Sequence, residues 1–255
     1  MSYDAGRNRT THGPVGIRIN KYLASCGICS RREADALIEA GAVTIDGKTA
    51  LPGDRVTQDN TVKVNGKRVQ SASRSVVVAY YKPVGVTCTE KDPHAEKTIR
   101  DAFRYPVRLT YAGRLDKDSE GLLLMTNDGD LIHAMMQGAH RHEKEYLVRT
   151  RRKISDEELQ RLRKGIYLRE LEEKTRPCEV LRLGDYTFSI ILTQGLNRQI
   201  RRMLSAIGQE VKILKRTRVL NVRIGKLKPG EQRTLSNEET RALYEAAGLT
   251  WKKQT

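Results

Sequence analysis

Hydrophobic positions along this chain follow two periods, and each change of period marks an element. Ile19, Leu23 and Cys26 recur at helical spacing. Ser30-Arg31-Arg32-Glu33 is a capping box that opens a second helix, with Ala34, Leu37 and Ile38 on one face and Gly41 as its stop. Val43-Thr44-Ile45 then alternates and enters an Asp46-Gly47 turn, and Val62-Lys63-Val64 enters an Asn65-Gly66 turn. Residues 1–16 lack periodicity and are expected to be a flexible tail; 65–75, polar with three serines, are expected to be a linker.

A second pattern begins with Val76-Val77-Val78-Ala79-Tyr80-Tyr81, a strand by composition. Leu122-Leu123-Leu124-Met125 is too short to span a membrane and predicts a buried strand. Ser155-Asp156-Glu157-Glu158 caps a helix ending near Gly165, and 178–183 pairs with 186–193 around Gly184-Asp185. Ile200, Met203, Leu204 and Ile207 share one helix face, closed by Gly208. A strand over Val219–Ile224 and a helix from Ser236 to Ala247 complete the pattern. Short helices followed by a small sheet over 17–64, and mixed elements over 76–250, predict an α+β chain of two domains. The larger one would be a mixed, mainly antiparallel sheet flanked by helices.

Charge changes this picture from a fold to a partner. The 255 residues carry a net charge of +16, spread unevenly: +4 over 1–70, +1 over 71–150 and +11 over 151–255. Such an excess points to a polyanion, with phosphate contacts supplying affinity. A hydrophobic fraction of 38% indicates a globular chain. No apolar run is long enough for a membrane span and no signal-peptide pattern opens the chain, so a cytoplasmic location is expected.

Candidate chemistry concentrates in Gly113-Arg114-Leu115-Asp116-Lys117-Asp118-Ser119-Glu120-Gly121, a charged loop tied to the apolar run. From spacing alone it is a calcium loop, a solvated charged turn or a catalytic aspartate beside an arginine. The calcium reading wants a bidentate Glu where Asn127 stands, and helical flanks that are missing. Cys26 and Cys29 form a lone C-x-x-C without two further ligands nearby, and reduced core thiols are expected. His140 and His142 form an isolated H-x-H, so no metal site is expected.

Gly113-Arg114-Leu115-Asp116 with Gly121-Leu122-Leu123-Leu124 resembles the central motif of the S4-domain RNA pseudouridine synthases, the RsuA family. Arg18-Ile19-Asn20-Lys21-Tyr22-Leu23, Ser30-Arg31-Arg32-Glu33-Ala34 and Val43-Thr44-Ile45-Asp46-Gly47 are similar to the S4 RNA-binding domain. Lys82-Pro83-Val84-Gly85 resembles a further motif in which Tyr81 stands where the family has Asn. His142-Glu143-Lys144-Glu145-Tyr146-Leu147-Val148 resembles the motif whose tyrosine contacts the target base. Gly195-Leu196-Asn197-Arg198-Gln199-Ile200-Arg201-Arg202-Met203 resembles the motif whose arginine pairs with the catalytic aspartate. The likeness runs from 17 to about 245, nearly the whole chain.

The resemblance implies an isomerase that converts a uridine of ribosomal RNA, in the large subunit, to pseudouridine, with a tRNA uridine as a further substrate. It implies Asp116 as nucleophile, Tyr146 against the base, Arg201 paired with Asp116, and no cofactor. Arg18, Lys21, Arg31, Arg32, Lys82, Arg114, Arg198 and Arg202 are the RNA contacts expected, and the protein is expected to act as a monomer. At about 100° per residue from Ile200, Arg201 stands on the shoulder between core and solvent, where it can reach a carboxylate. Two other classes are weighed: an S4-type RNA-binding or ribosome-assembly protein without catalysis, and a glycoside hydrolase using Asp116 and Asp118. The first does not need Asp116, Tyr146 and Arg201 together; the second needs neither the S4 module nor the charge.

Overall fold

The structure, a computed structural model, describes residues 16–69, 75–89, 94–137 and 141–251. The tail expected over 1–16 lies outside these residues apart from Gly16, as does His140 of the H-x-H pair. The chain divides into two compact units, Met1–Arg74 and Ser75–Thr255.

In the first unit the helices Ile19–Ser25 and Arg31–Glu39 form where the apolar spacing placed them. The capping box is present in full: the Glu33 N–H donates to Ser30 Oγ at 3.2 Å, and the Ser30 N–H donates to the Glu33 carboxylate at 2.9 Å. Val43–Ile45, Lys48–Thr49, Val62–Val64 and Lys67–Arg68 make a four-stranded antiparallel sheet. Its two hairpins turn at Asp46-Gly47 and Asn65-Gly66, where all four residues hold positive φ, as a type I′ turn requires. Lys67–Arg68 corrects the linker expected over 65–75: the Asn65-Gly66 turn sends the chain back onto the sheet before the unit ends. Ile19, Leu23, Ala34, Ile38, Val43, Val56 and Val62 form the core, with Cys29 buried among them and Cys26 half-buried.

The second unit is built on one nine-stranded sheet. Its order is Glu179–Gly184, Thr187–Leu192, Lys144–Thr150, Val211–Val219, Glu120–Thr126, Val77–Lys82 and Gln232–Thr234. Thr110–Tyr111 joins Glu120–Thr126, and Val222–Arg223 joins Val211–Val219. Among the described residues, one pair in this sheet is parallel: Glu120–Thr126 against Val211–Val219, with Lys215 opposite Glu120 and Arg216 opposite Gly121.

That pair is the seam between two half-cores. On one side, Leu122 and Leu124 pack with Val77, Ala79, Leu243 and Tyr244, while Leu123 and Met125 pack on the opposite face with Val78, Tyr80, Phe103 and Leu115. Apolar groups on both faces explain why this strand is a continuous hydrophobic run rather than an alternating one. On the other side, Val148, Phe188, Ile190 and Leu214 pack beneath the helices Asp156–Lys164 and Gln199–Ser205.

Two expected elements are displaced. The Val219–Ile224 strand is instead a hairpin, because Leu220 takes a left-handed φ of 51° and turns the chain at Leu220-Asn221. The hairpin expected to turn at Gly184-Asp185 has strands Glu179–Gly184 and Thr187–Leu192, and an irregularity between Arg182 and Gly184 moves the turn one residue on.

Candidate active site

The charged loop leaves Thr110–Tyr111 and re-enters the sheet at Glu120, so it ends at the seam. Gly121 lets the seam close. It holds φ 110°, and a Cβ there would stand 2.3 Å from the Arg216 carbonyl oxygen and 2.7 Å from its nitrogen. No larger residue fits that approach.

The Arg216 side chain then runs under the loop. It is only 3% exposed; its Nε donates to the Leu122 carbonyl at 2.7 Å and its Nη1 to the Arg114 carbonyl at 3.1 Å. Its Nη2 is buried without a hydrogen-bond partner among the described residues. Two further bonds tie the loop to the Pro83-Val84-Gly85 bend: the Gly85 N–H donates to the Lys117 carbonyl at 2.8 Å, and the Leu115 N–H to Cys88 Sγ at 3.4 Å.

Lys82 corrects an expectation. Expected among the RNA contacts, it is fully buried, and its ammonium donates to the carbonyls of Pro83 at 3.0 Å and Val86 at 2.8 Å. Burial pulls it down to about 8. Its work is to hold the bend. Tyr81, where the family has Asn, is buried and donates to the Glu120 carboxylate at 2.9 Å; burial and that carboxylate both push its hydroxyl up.

Asp116 and Tyr146 line one cleft of about 530 Å³, together with Arg114, Lys144, Arg198 and Arg216. Both are half-buried. Tyr146 comes from the strand Lys144–Thr150, beside the seam strand Val211–Val219, and packs against the second half-core. Lys144 enters the same cleft. Burial, reinforced by Arg216, pulls it down to about 8, and its ammonium donates to the His142 carbonyl at 3.2 Å.

The expected Arg201–Asp116 pair does not form. Arg201 reaches two residues farther: its Nε lies 3.2 Å from the Asp118 carboxylate and its Nη2 donates to the Asp118 carbonyl at 2.7 Å. Arg198 grips the same carboxylate with both guanidinium nitrogens, at 3.2 and 2.8 Å. Arg198 holds a left-handed φ of 50° at the entry to the Gln199–Ser205 helix. Burial would push the Asp118 carboxyl up; the two guanidiniums outweigh it and hold the group below the usual carboxylate range. Among the described residues the Asp116 carboxylate makes no hydrogen bond or ion pair, although Arg198 and Arg201 both feel its charge. Arg201 thus sits on the helix shoulder as its angle required, but it fastens the loop through Asp118 and leaves Asp116 facing the cleft.

The remaining expected RNA contacts divide by exposure. Arg18, Arg31, Arg32 and Arg114 are exposed, and Lys21 is half-buried. Arg202 is engaged: it forms an ion pair with Glu170 and donates to the Asn197 carbonyl at 3.0 Å. Sequence reasoning missed Arg216 and Lys144. Arg216 sits in a strand among other basic residues and Lys144 stands between Glu143 and Glu145, so each looks like a surface charge until the seam is known. No group of three or more His, Cys, Asp or Glu side chains able to hold a metal occurs among the described residues. No helix among them is long and apolar enough to cross a membrane.

Residues 76–206 match the RNA pseudouridylate synthase family, and residues 17–62 match the S4 domain. The chain is 42% identical to the dual-specificity RNA pseudouridine synthase RluF of Escherichia coli (strain K12) over 230 residues, covering 89% of this chain and 78% of that protein. It is 40% identical to an uncharacterized RNA pseudouridine synthase of Aquifex aeolicus (strain VF5), covering 89% and 96%. It is 35% identical to the ribosomal large subunit pseudouridine synthase B of Vibrio cholerae, covering 93% and 77%. A crystal structure of a pseudouridylate synthase superposes with a TM-score of 0.65 at 29% identity, covering 89% of this chain and 99% of that one.

Proposed function

This chain belongs to the RNA pseudouridine synthases that carry an S4 domain, and we propose that it isomerises one uridine of large-subunit ribosomal RNA to pseudouridine. The observation that carries the reading is the placement of Asp116 and Tyr146 in one cleft walled by cations. A cleft of about 530 Å³ accommodates a single nucleoside. A uridine in a folded RNA reaches it by leaving its stack.

The reaction breaks N1–C1′ and forms C5–C1′; C5 gives up its hydrogen as a proton and N1 takes one up. There is no net oxidation and no group donor, so the chain's own residues suffice. Asp116 is the covalent nucleophile, kept available because Asp118 takes the arginines. Arg198 and Arg201 act as positioning residues that hold the loop through Asp118. Tyr146 offers an aromatic face to the extruded base and a hydroxyl for a hydrogen bond. Arg216 holds the loop from below. The S4 unit supplies further RNA affinity through Arg18, Arg31 and Arg32.

The test is a pseudouridine map of ribosomal and transfer RNA from cells with and without the protein. One large-subunit uridine should lose its modification in the deletion. A tRNA uridine lost alongside it would extend to this chain the dual specificity in its relative's name. An unchanged map contradicts the assignment.

A further inference from the structure

A second groove, of about 970 Å³, lies on the far side of the Gln199–Ser205 helix from the Asp116 cleft. Its walls are the end of the Asp156–Lys164 helix, the Tyr167–Leu168 strand, and the helix Gln199–Ser205 packed against that strand. Arg198 lines both cavities.

Three observations make this groove more than a solvated basic face. Arg161 and Lys164, one turn apart at the helix end, and Arg169 are exposed, and their charged ends have no partner among the described residues. The acidic group lining the groove, Glu170, is taken by Arg202, so it does not compensate Arg161, Lys164 and Arg169. Tyr167 stands between them with 56% of its surface exposed, an aromatic side chain left out of a core that buries its neighbours Ile166 and Leu168. Cations flanking an exposed ring are the parts of a single-strand nucleic-acid platform: phosphates on the charges, a base on the ring.

We propose that this groove binds single-stranded RNA flanking the target uridine, with backbone phosphates on Arg161, Lys164 and Arg169 and one base stacked on Tyr167. The inference rests on the RNA synthase reading and adds to it the strand's path out of the active site. Arg198, which lines both cavities, marks where the strand would pass from one to the other.

The experiment uses the full-length protein and a fluorescent oligouridylate of about twelve nucleotides, whose binding needs no turnover. A triple variant, Arg161→Gln, Lys164→Gln and Arg169→Gln, is compared with Lys212→Gln, Lys226→Gln and Lys228→Gln, which removes equal charge elsewhere. The groove triple should bind at least tenfold more weakly at about 0.1 M salt, and its salt slope should fall by about two, at roughly 0.7 per single-strand phosphate contact. Tyr167→Ala should weaken binding about fivefold or more, and Tyr167→Phe should restore it. The groove variants should also raise KM for large-subunit RNA and leave kcat unchanged. Equal binding by the two triples, or by the Ala and Phe variants, overturns the proposal. So does a loss confined to kcat. Absence of turnover in the unaltered protein would contradict the synthase assignment while leaving the oligonucleotide comparison intact.

Discussion

Arg201 is fastened to Asp118, not to Asp116: its Nε stands 3.2 Å from the Asp118 carboxylate and its Nη2 2.7 Å from the Asp118 carbonyl. The loop therefore carries two aspartates with divided work, one anchoring and one facing the cleft. Asp118→Asn removes the carboxylate that two arginines share, on a partly exposed surface where such pairs contribute about 0–1 kcal/mol each. The fold should survive with little change in melting temperature. The loop should loosen, so kcat should fall roughly tenfold to a hundredfold without vanishing, since a small misplacement of the reacting groups has that effect. Tritium release from RNA bearing 5-tritiated uridine measures it; complete inactivity would mean that the two aspartates are not divided in this way.

Gly121→Ala tests the seam. The new methyl would meet the Arg216 carbonyl at 2.3 Å, on backbone at φ 110°. Neither can move without parting the two halves of the sheet. A loss of about 3 kcal/mol is expected, from strain and forced separation together. Thermal denaturation should show a fall on the order of 10 °C for a unit of this size; an unchanged melting temperature would show that the strands part freely.

Tyr146→Phe keeps the stacking face and loses the hydroxyl, whereas Tyr146→Ala loses both. Stacking on the extruded base predicts that the Ala variant binds RNA about fivefold or more weakly than the Phe variant. Competition binding with large-subunit RNA measures the difference, and equal affinities would assign the residue to the core or to its hydroxyl alone.

The cleft should also titrate. Lys144 is held at about 8 by burial and by Arg216, against an ordinary value of 10.5. A lysine whose folded value lies below its unfolded value penalises the fold where both states are protonated, below about pH 8. The penalty is relieved as pH rises from 8 to 10.5, where the unfolded chain binds more protons. Unfolding by denaturant at pH 7 and 9.5 should therefore show Lys144→Met gaining less stability with pH than the unaltered protein. Over the same range RNA affinity should weaken as the cleft loses a charge, and Lys144→Arg should weaken less. A parallel pH response in all three proteins would remove Lys144 from the account.

Much of this was legible in the sequence because local rules governed it. The boxes at Ser30, Ser155 and Ser236 cap helices, the Asp46-Gly47 and Asn65-Gly66 turns form hairpins, and Ile200, Met203 and Leu204 face the core. Asp116 and Tyr146, picked out by their motifs, line one cleft. What could not be read depends on contacts distant in sequence. Arg216 looks like one basic residue among several until Gly121, 95 positions earlier, is laid against it. Lys82 looks like a surface charge because nothing local reveals that the carbonyls of Pro83 and Val86 enclose it. The choice of Asp118 over Asp116 by Arg201 turns on how far a helix shoulder stands from a loop, which angular position alone does not give.

The proposed role of Asp116 as nucleophile is tested most directly by Asp116→Asn. The amide is nearly isosteric, and the Asp116 carboxylate anchors nothing among the described residues, so folding and RNA affinity should stay near those of the unaltered protein. Asp118, Arg198 and Arg201 would still fix the loop. Release of tritium from 5-tritiated uridine in large-subunit RNA should fall to background. Release at close to the unaltered rate, from a protein shown to be folded and to bind RNA, would contradict the assignment.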